Sequence, residues 1–211
     1  MRFEVRGFAS NNYWLKANGY LRHMDFSRDI EQSLSVLKSG GIILYPTDTI
    51  WGIGCDATNE EAVERIFVVK QRPSNKSLII LVAEEREIMK YVAHPDPRVF
   101  EYLESTKKPT TVIYEGAIGL ASNLASEDGS IAIRIVQDEF CRHLIKRLRK
   151  PIVSTSANLS GEPSPKSFND ISDKIRNAVD YIVQYRQDDN QETKSSSIIQ
   201  WKNGRPNVIR N

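Results

Sequence analysis

Three cations stand close together in the segment KQRPSNKS (70–77), at Lys70, Arg72 and Lys76. A helix predicted from Asn59, with Glu60 and Glu61 in its first turn, should end near Lys70–Arg72 because Pro73 disfavours continuation, so the cations lie at its end and in the loop beyond. An arginine fork can bind two phosphate oxygens while lysine adds a point charge, so the segment could bind a polyanion. Such cations also complement a helix dipole, and a solvated helix end is the ordinary explanation. The sequence has no Walker A or GxGxxG motif, so a standard nucleotide-binding fold is not indicated.

A second polar segment, PTDT (46–49), follows the apolar run IILY (42–45). Such a run predicts a strand buried on both faces, and ligands of open α/β sheets bind where strands end in loops. Thr49 places a hydroxyl there, while Gly52 and Gly54 allow close approach of the backbone. The alternative is a turn in which Thr and Asp side chains satisfy their own backbone.

A third segment, STSANLSGEPSP (154–165), continues another predicted strand. Ser156 and Asn158 are two residues apart, so an extended backbone would direct both side chains the same way. They could hold a small polar molecule, or cap a proline-rich turn. Arg134 interrupts the apolar strand IAIRIV (131–136); such an arginine is usually at an exposed edge or paired with an acid, and one that faces a site would bind a carboxylate.

Strands and helices alternate along the chain and would position these segments. A helix carrying Ile30, Leu34 and Leu37 on one face should end at the glycines 40–41, and Asn59 should cap the next helix. Further helices are predicted at 84–91, 97–105, 138–149 and 171–178, and strands at 42–45, 77–82, 110–114, 130–136, 151–155 and 181–184, followed by a hairpin with its turn at 203–204. We therefore expect an α/β (α+β) fold: one domain with a twisted, mixed parallel and antiparallel sheet and flanking helices.

Composition limits the classes of function. The 211 residues are 40% hydrophobic and carry a net charge of +2, enough for a core but without a strong basic field. Cys55 and Cys141 form no CxxC, no metal-ligand spacing appears, and no run could span a bilayer, which favours a cytoplasmic location. Residues 1–23 lack clear periodicity and are interpreted as an N-terminal extension that need not be native, before a domain at 24–211.

The order of the motifs is more specific than any one of them. A strand ending in PTDT-x-x-G-x-G, then K-x-R-P, then S-x-N within STSANLSG resembles the YrdC-like family of threonylcarbamoyl-AMP synthases, over residues 26–210. The resemblance implies a sheet curved around a concave cavity. It also implies an ATP-dependent nucleotidyltransferase that joins L-threonine, bicarbonate and ATP into threonylcarbamoyl-AMP, with release of pyrophosphate. A downstream transferase would then pass the threonylcarbamoyl group to tRNA, and Mg²⁺ would accompany the ATP.

The resemblance also implies roles for individual residues. Lys70 and Arg72 would be catalytic. ATP would be bound by Arg72, Lys76, Ser130, Asn158, Lys166 and Arg210. L-Threonine would be bound by Thr49, Arg134, Ser156 and Ser196, with Arg134 on its carboxylate and the glycines of the PTDT segment giving the substrates room; no protein ligand of a metal is implied.

Two positions depart from the family pattern. Leu81 stands where many relatives have histidine. STKKPTTVIY (105–114) lies in a segment that is commonly richer in glycine and proline in the family, so no role is carried over to its residues. Two other functions stay open: a module that binds tRNA or double-stranded RNA, for which CRHLIKRLRK (141–150) supplies cations, and a paralogue that carbamoylates another acceptor. The leucines and isoleucine of that run favour a helix with one buried face and a solvated basic face.

Overall fold

The computed structural model describes residues 14–17, 20–23, 26–73, 78–189, 195–202 and 204–211. Its strands are β1 (Trp14–Ala17), β2 (Tyr20–His23), β3 (Ile43–Tyr45), β4 (Gly52–Gly54), β5 (Ile79–Val82), β6 (Thr110–Tyr114), β7 (Ile131–Ile135), β8 (Ile152–Ser156), β9 (Tyr181–Ile182), β10 (Ser197–Lys202) and β11 (Arg205–Arg210). Its α-helices are α1 (Ser27–Lys38), α2 (Glu60–Lys70), α3 (Arg98–Ser105), α4 (Glu139–Leu148) and α5 (Asp173–Ala178), with 3₁₀ helices at Glu85–Lys90 and Phe168–Asp170.

Nine of these strands form one sheet, in the order β11-β10-β6-β7-β5-β8-β4-β3-β9. Its pairs are parallel at β10/β6, β5/β7 and β3/β9 and antiparallel elsewhere. The predicted mixed sheet with flanking helices is therefore confirmed. β1 and β2 pair separately as an antiparallel two-stranded sheet, which the sequence pattern did not predict.

Alternate residues of the central strands enter two different cores, as the period of two in a strand requires. On one face, Ile53, Ile80 and Val153 pack with the buried residues of α2, Val99 of α3 and Ile175 of α5. On the other face, Tyr45 and Leu81 and their neighbours pack with α1 and α4. This second core covers only part of its face, and the uncovered part is where the candidate site lies.

Local signals position the helices as expected. The Asn59 side chain accepts a hydrogen bond from the Ala62 amide at 3.0 Å, which caps α2, and Asp138 caps α4 through the Cys141 amide at 2.9 Å. α4 buries Leu144, Ile145 and Leu148, as predicted for the basic helix. No helix in the described ranges is long and apolar enough to cross a membrane.

Two stretches differ from expectation. Gly52–Gly54, predicted as loop, is strand β4, since its backbone pairs with both β3 and β8. Glycine has weak strand propensity, so the alternating pattern did not reveal it. The helix expected at 84–91 is a 3₁₀ helix.

The terminal hairpin is confirmed, with Gly204 at φ +71°; Asn203 of its predicted turn lies outside the described residues.

Candidate substrate-binding cavity

A cavity of about 260 Å³ lies over the part of the sheet that α1 and α4 leave uncovered. Ile113, Ala132, Ile79 and Ser154 form its floor, and they stand opposite one another across β6, β7, β5 and β8. Beside Ser154, strand β4 contributes Gly52. The small side chains of Ala132 and Ser154, together with Gly52, leave the volume that larger residues would fill.

Strand pairing brings the sequence motifs to one end of the sheet. Gly52, at the start of β4, pairs with Ser156, at the end of β8, and the Ala157 amide donates to the Trp51 carbonyl at 3.0 Å. The PTDT loop therefore adjoins the STSAN segment. Trp51 itself is buried in the first core.

Arg134 forms one wall of the cavity and is only 4% exposed. Its Nη1 donates to Thr49 Oγ1 at 2.9 Å, and its Nη2 lies 3.2 Å from Asp48 Oδ1. The acid that pairs with this strand arginine is thus in the PTDT loop. Its Nε is buried without a hydrogen-bond partner among the described residues, although a buried N–H group normally has one.

The PTDT loop presents Thr49 to Arg134 through a short chain of hydrogen bonds. Thr47 Oγ1 accepts from the Thr49 amide at 3.0 Å and donates to the Ile50 carbonyl at 2.9 Å. The two threonine hydroxyls lie 2.9 Å apart. Because the single hydroxyl proton of Thr47 is directed at Ile50, the Thr49 hydroxyl donates to Thr47 and accepts from Arg134. The PTDT loop is therefore both a turn whose threonine side chains bind its own backbone and a part of the cavity wall.

Two further arginines face the cavity from other elements. Arg72 follows α2, whose cap residue Gln71 adopts a left-handed conformation (φ +50°). The Arg72 amide donates to the Phe67 carbonyl. Arg210 of β11 donates from Nε and Nη2 to the Ser196 carbonyl, at 3.2 and 2.9 Å. Burial lowers the pKa of both guanidinium groups below the ordinary arginine value.

Lys70 lies beneath the STSAN segment rather than in the cavity lining. Its Nζ donates to the carbonyls of Ser156 and Asn158 at 2.6 and 2.7 Å and lies 3.4 Å from Asn158 Oδ1. The side chain is 2% exposed, and burial, followed by the charge of Arg72, lowers the pKa of its amine to about 8. Lys70 thus ties the end of α2 to the loop that follows β8.

The structure brings together six of the predicted site residues in this cavity: Thr49, Arg72, Arg134, Ser156, Ser196 and Arg210. Ser130 immediately precedes β7, two residues before Ala132, and Asn158 donates from Nδ2 to the Glu162 carbonyl at 2.6 Å. Lys166 borders a smaller adjacent pocket. Lys76 lies outside the described residues.

Sequence reasoning missed several lining residues. They are Ile50, Leu78, Ile79, Ile113, Ala132, Ser154, Thr155, Ser164, Ser195 and Ile198. The alternation that placed Ser156 and Asn158 on one face also implied Ser154, two residues earlier. The interpretation that both glycines give substrates room needs correction for Gly54: a Cβ there would lie 2.0 Å from the Val153 carbonyl, so its space is used by β8.

The cavity lining offers hydroxyls and guanidinium groups and includes no carboxylate among the described residues. Groups of three or more His, Cys, Asp or Glu side chains suited to a metal are also absent from the described part of the chain. Proteins usually bind Mg²⁺ through one or two carboxylates together with substrate phosphates. These residues do not themselves form a magnesium site.

A sheet-face cavity with three arginines and several hydroxyls, and with no carboxylate in its described lining, is typical of proteins with a site suited to small anionic molecules. The chain belongs to the Sua5/YciO/YrdC family, whose model, described as "Telomere recombination", matches residues 35–211.

Known relatives agree with this family membership. A threonylcarbamoyl-AMP synthase of Idiomarina loihiensis is 34% identical over 156 residues, covering 72% of this chain and 83% of the relative. One of Pseudoalteromonas translucida is 32% identical over 157 residues, covering 73% and 84%. The crystal structure of P. abyssi Sua5 complexed with L-threonine matches with a TM-score of 0.77 at 25% identity; it covers 87% of this chain, which spans 54% of the Sua5 chain.

Proposed function

We propose that this protein is a threonylcarbamoyl-AMP synthase, a nucleotidyltransferase that joins L-threonine, bicarbonate and ATP and releases pyrophosphate. The relatives named threonylcarbamoyl-AMP synthase and the Sua5 complex with L-threonine support this substrate set. The observation that carries the proposal is Arg134, a buried guanidinium beside Thr49 in the cavity wall with its Nε unpartnered among the described residues. The proposal also places the enzyme in the cytoplasm, upstream of a transferase that acts on tRNA.

The proposed reaction needs no side-chain nucleophile. The amine of L-threonine reacts with bicarbonate to give a carbamate and water, and a carbamate oxygen then attacks the α-phosphorus of ATP as pyrophosphate leaves. Such a displacement is accelerated by positioning and by charge stabilisation on the phosphates. A cavity lined by arginines and hydroxyls suits that chemistry.

Each side of the cavity has a distinct part in the proposal. Arg134 and Thr49 bind the carboxylate and hydroxyl of L-threonine, with Ser156 and Ser196 nearby. Arg72 and Arg210 stabilise the phosphates, and Lys76, Ser130, Asn158 and Lys166 complete the ATP contacts. Lys70 contributes by holding the loop that carries Ser156 and Asn158.

Pyrophosphate release by the purified protein with ATP, Mg²⁺ and bicarbonate tests the proposal. We expect release to require L-threonine, to be much lower with L-serine, and to fall about 100-fold in Arg72→Ala, as for removal of one charge-stabilising donor. Arg28→Ala, on the exposed side of α1, is the matched control and should keep the full rate. Folded protein that releases no pyrophosphate in response to threonine would contradict the proposal.

A further inference from the structure

The loop Pro46–Thr49 is held at every residue by a different donor. Cys141 Sγ donates to the Pro46 carbonyl at 3.3 Å, and the Gln137 amide donates to Asp48 Oδ2 at 2.9 Å. Arg134 contacts Thr49, as described above. These three donors all belong to β7, the start of α4 or the turn between them.

The fourth donor, Arg186, comes from a separate part of the chain. Its Nη1 lies 3.3 Å from the Thr47 carbonyl oxygen and 3.0 Å from Asp138 Oδ2, while its Nε donates to Asp189 Oδ2 at 3.0 Å. Asp138 is the residue that caps α4. One guanidinium therefore joins the loop, the helix cap and its own turn.

The turn that carries Arg186 is itself fixed to the fold. Both oxygens of the buried Asp29 on α1 accept backbone amides from it, Gln184 at 3.0 Å and Tyr185 at 2.9 Å. The Val183 amide donates to the Leu44 carbonyl of β3. Arg186 is thus presented by a rigid support, and its contact with Thr47 is not that of a loose surface side chain.

The backbone at Arg186 points to a role for the side chain. Its φ is +65°, a conformation that glycine adopts freely and that L side chains rarely adopt. A glycine would give the same turn with less strain. Unlike glycine, an arginine at this position contacts Thr47, Asp138 and Asp189. Strained backbone conformations of this kind are concentrated at functional sites, where the surrounding contacts hold them.

We propose that Arg186 is a positioning residue for the substrate cavity, which holds the Thr47 carbonyl and so keeps Thr49 and Arg134 at the spacing that binds the substrate carboxylate. Because Thr47 Oγ1 orients both the amide and the hydroxyl of Thr49, a shift of Thr47 is passed directly to the contact with Arg134. The identity of the substrate rests on the proposed function, whereas the effect on the loop does not.

Two variants separate the side chain from the backbone. Arg186→Gly removes the guanidinium and suits the positive φ, and Arg186→Lys retains a charge without the fork. Arg149→Gly is the matched control, because exposed Arg149 at the end of α4 has nearly the same φ, +61°, in a different part of the surface. Amide hydrogen exchange of the 45–54 peptide is measured in the unliganded protein, with the β6 peptide as an internal reference, together with KM and kcat for L-threonine.

In Arg186→Gly we expect exchange in the 45–54 peptide to accelerate about tenfold and KM for L-threonine to rise about tenfold, equivalent to about 1.4 kcal/mol. kcat should change less than threefold, Arg186→Lys should recover part of both losses, and Arg149→Gly should match wild type. Wild-type exchange in Arg186→Gly, or faster exchange with unchanged KM, would overturn the inference. If wild type releases no pyrophosphate with threonine while loop exchange responds as expected, the proposed function fails and the positioning role stands.

Discussion

Replacement of Lys70 by methionine tests whether this buried amine holds the loop after β8. Methionine has a similar length but donates no hydrogen bonds, so the carbonyls of Ser156 and Asn158 would both lose the Lys70 donor, while the Ser156 carbonyl would still accept from the Asn158 amide at 2.9 Å. Hydrogen bonds from a charged donor contribute about 1.5–3 kcal/mol each, or about 3–6 kcal/mol for two. Against this, burial lowers the pKa of the amine from 10.5 to about 8, a cost of about 3 kcal/mol to the charged native form. We therefore expect Lys70→Met to lower the free energy of unfolding by about 2 kcal/mol at pH 7.

The pH dependence of that difference has a definite sign. Between pH 8 and 10.5 the unfolded chain keeps the Lys70 proton while the native protein releases it. The cost of the depressed pKa is therefore complete below pH 8 and is relieved as the pH rises toward 10.5, so wild type gains stability relative to the variant. From pH 7 to 9.5 the gap in free energy of unfolding between wild type and Lys70→Met should widen by about 2 kcal/mol.

Urea denaturation of both proteins at pH 7 and 9.5 measures this gap, and subtraction removes the titration of the other groups. Lys174→Met, an exposed lysine on α5, is the control for the substitution itself. A gap that stays constant or narrows would mean that the carbonyls keep Lys70 charged throughout. That result would refute the reasoning that burial dominates.

Three further substitutions test other parts of the site. Thr49→Val leaves a guanidinium donor of Arg134 unpaired, so calorimetry should show L-threonine affinity about tenfold weaker; Thr106→Val, at the end of α3, should bind as wild type does. Gly54→Ala would place a Cβ 2.0 Å from a β8 carbonyl, so it should lower the free energy of unfolding in urea by about 3 kcal/mol. Gly52→Ala would place its Cβ 3.2 Å from its neighbours and should lower it by less than about 1 kcal/mol. Equal losses would contradict this. Arg72→Lys retains the charge but not the fork, and a pyrophosphate-release rate equal to wild type would show that bidentate geometry is unimportant.

The fold could be predicted where one physical signal dominates. Helices α1 and α4 have strong apolar periodicity, α2 has a clear N-cap and a proline after its end, and strands β6 and β7 have β-branched runs. β4 could not be predicted because its two glycines carry no strand preference; it forms a strand because its backbone pairs with β3 and β8, and β8 and Tyr45 lie too close to Gly54 for any side chain there. Close approach of that kind depends on residues a hundred positions away.

The site could be predicted in part for a related reason. Sequence patterns identify residues whose types are unusual for their place, such as Arg134 in an apolar strand. They do not identify the partners, because Asp48 and Thr49 meet Arg134 only after β3, β4 and β7 take their places in the sheet. Arg186 gave no such signal, since an arginine in a polar turn is ordinary and its positive φ is visible only in the structure.

The arrangement of the two cores explains why a cavity exists at this point at all. Helices α1 and α4 cover the row that contains Leu81 and Ile152, and those side chains are fully buried. The next row along the same face runs through Ile113, Ala132, Ile79 and Ser154; the cavity lining, as far as the structure describes it, includes no residue of α1 or α4, and two of these four side chains are small. Arg134 stands in the covered row, at its border with the open one, so its stem is buried while its guanidinium reaches the cavity. A buried charge is tolerable there because the PTDT loop supplies a carboxylate and hydroxyls on one side, and on the other side a substrate carboxylate can approach.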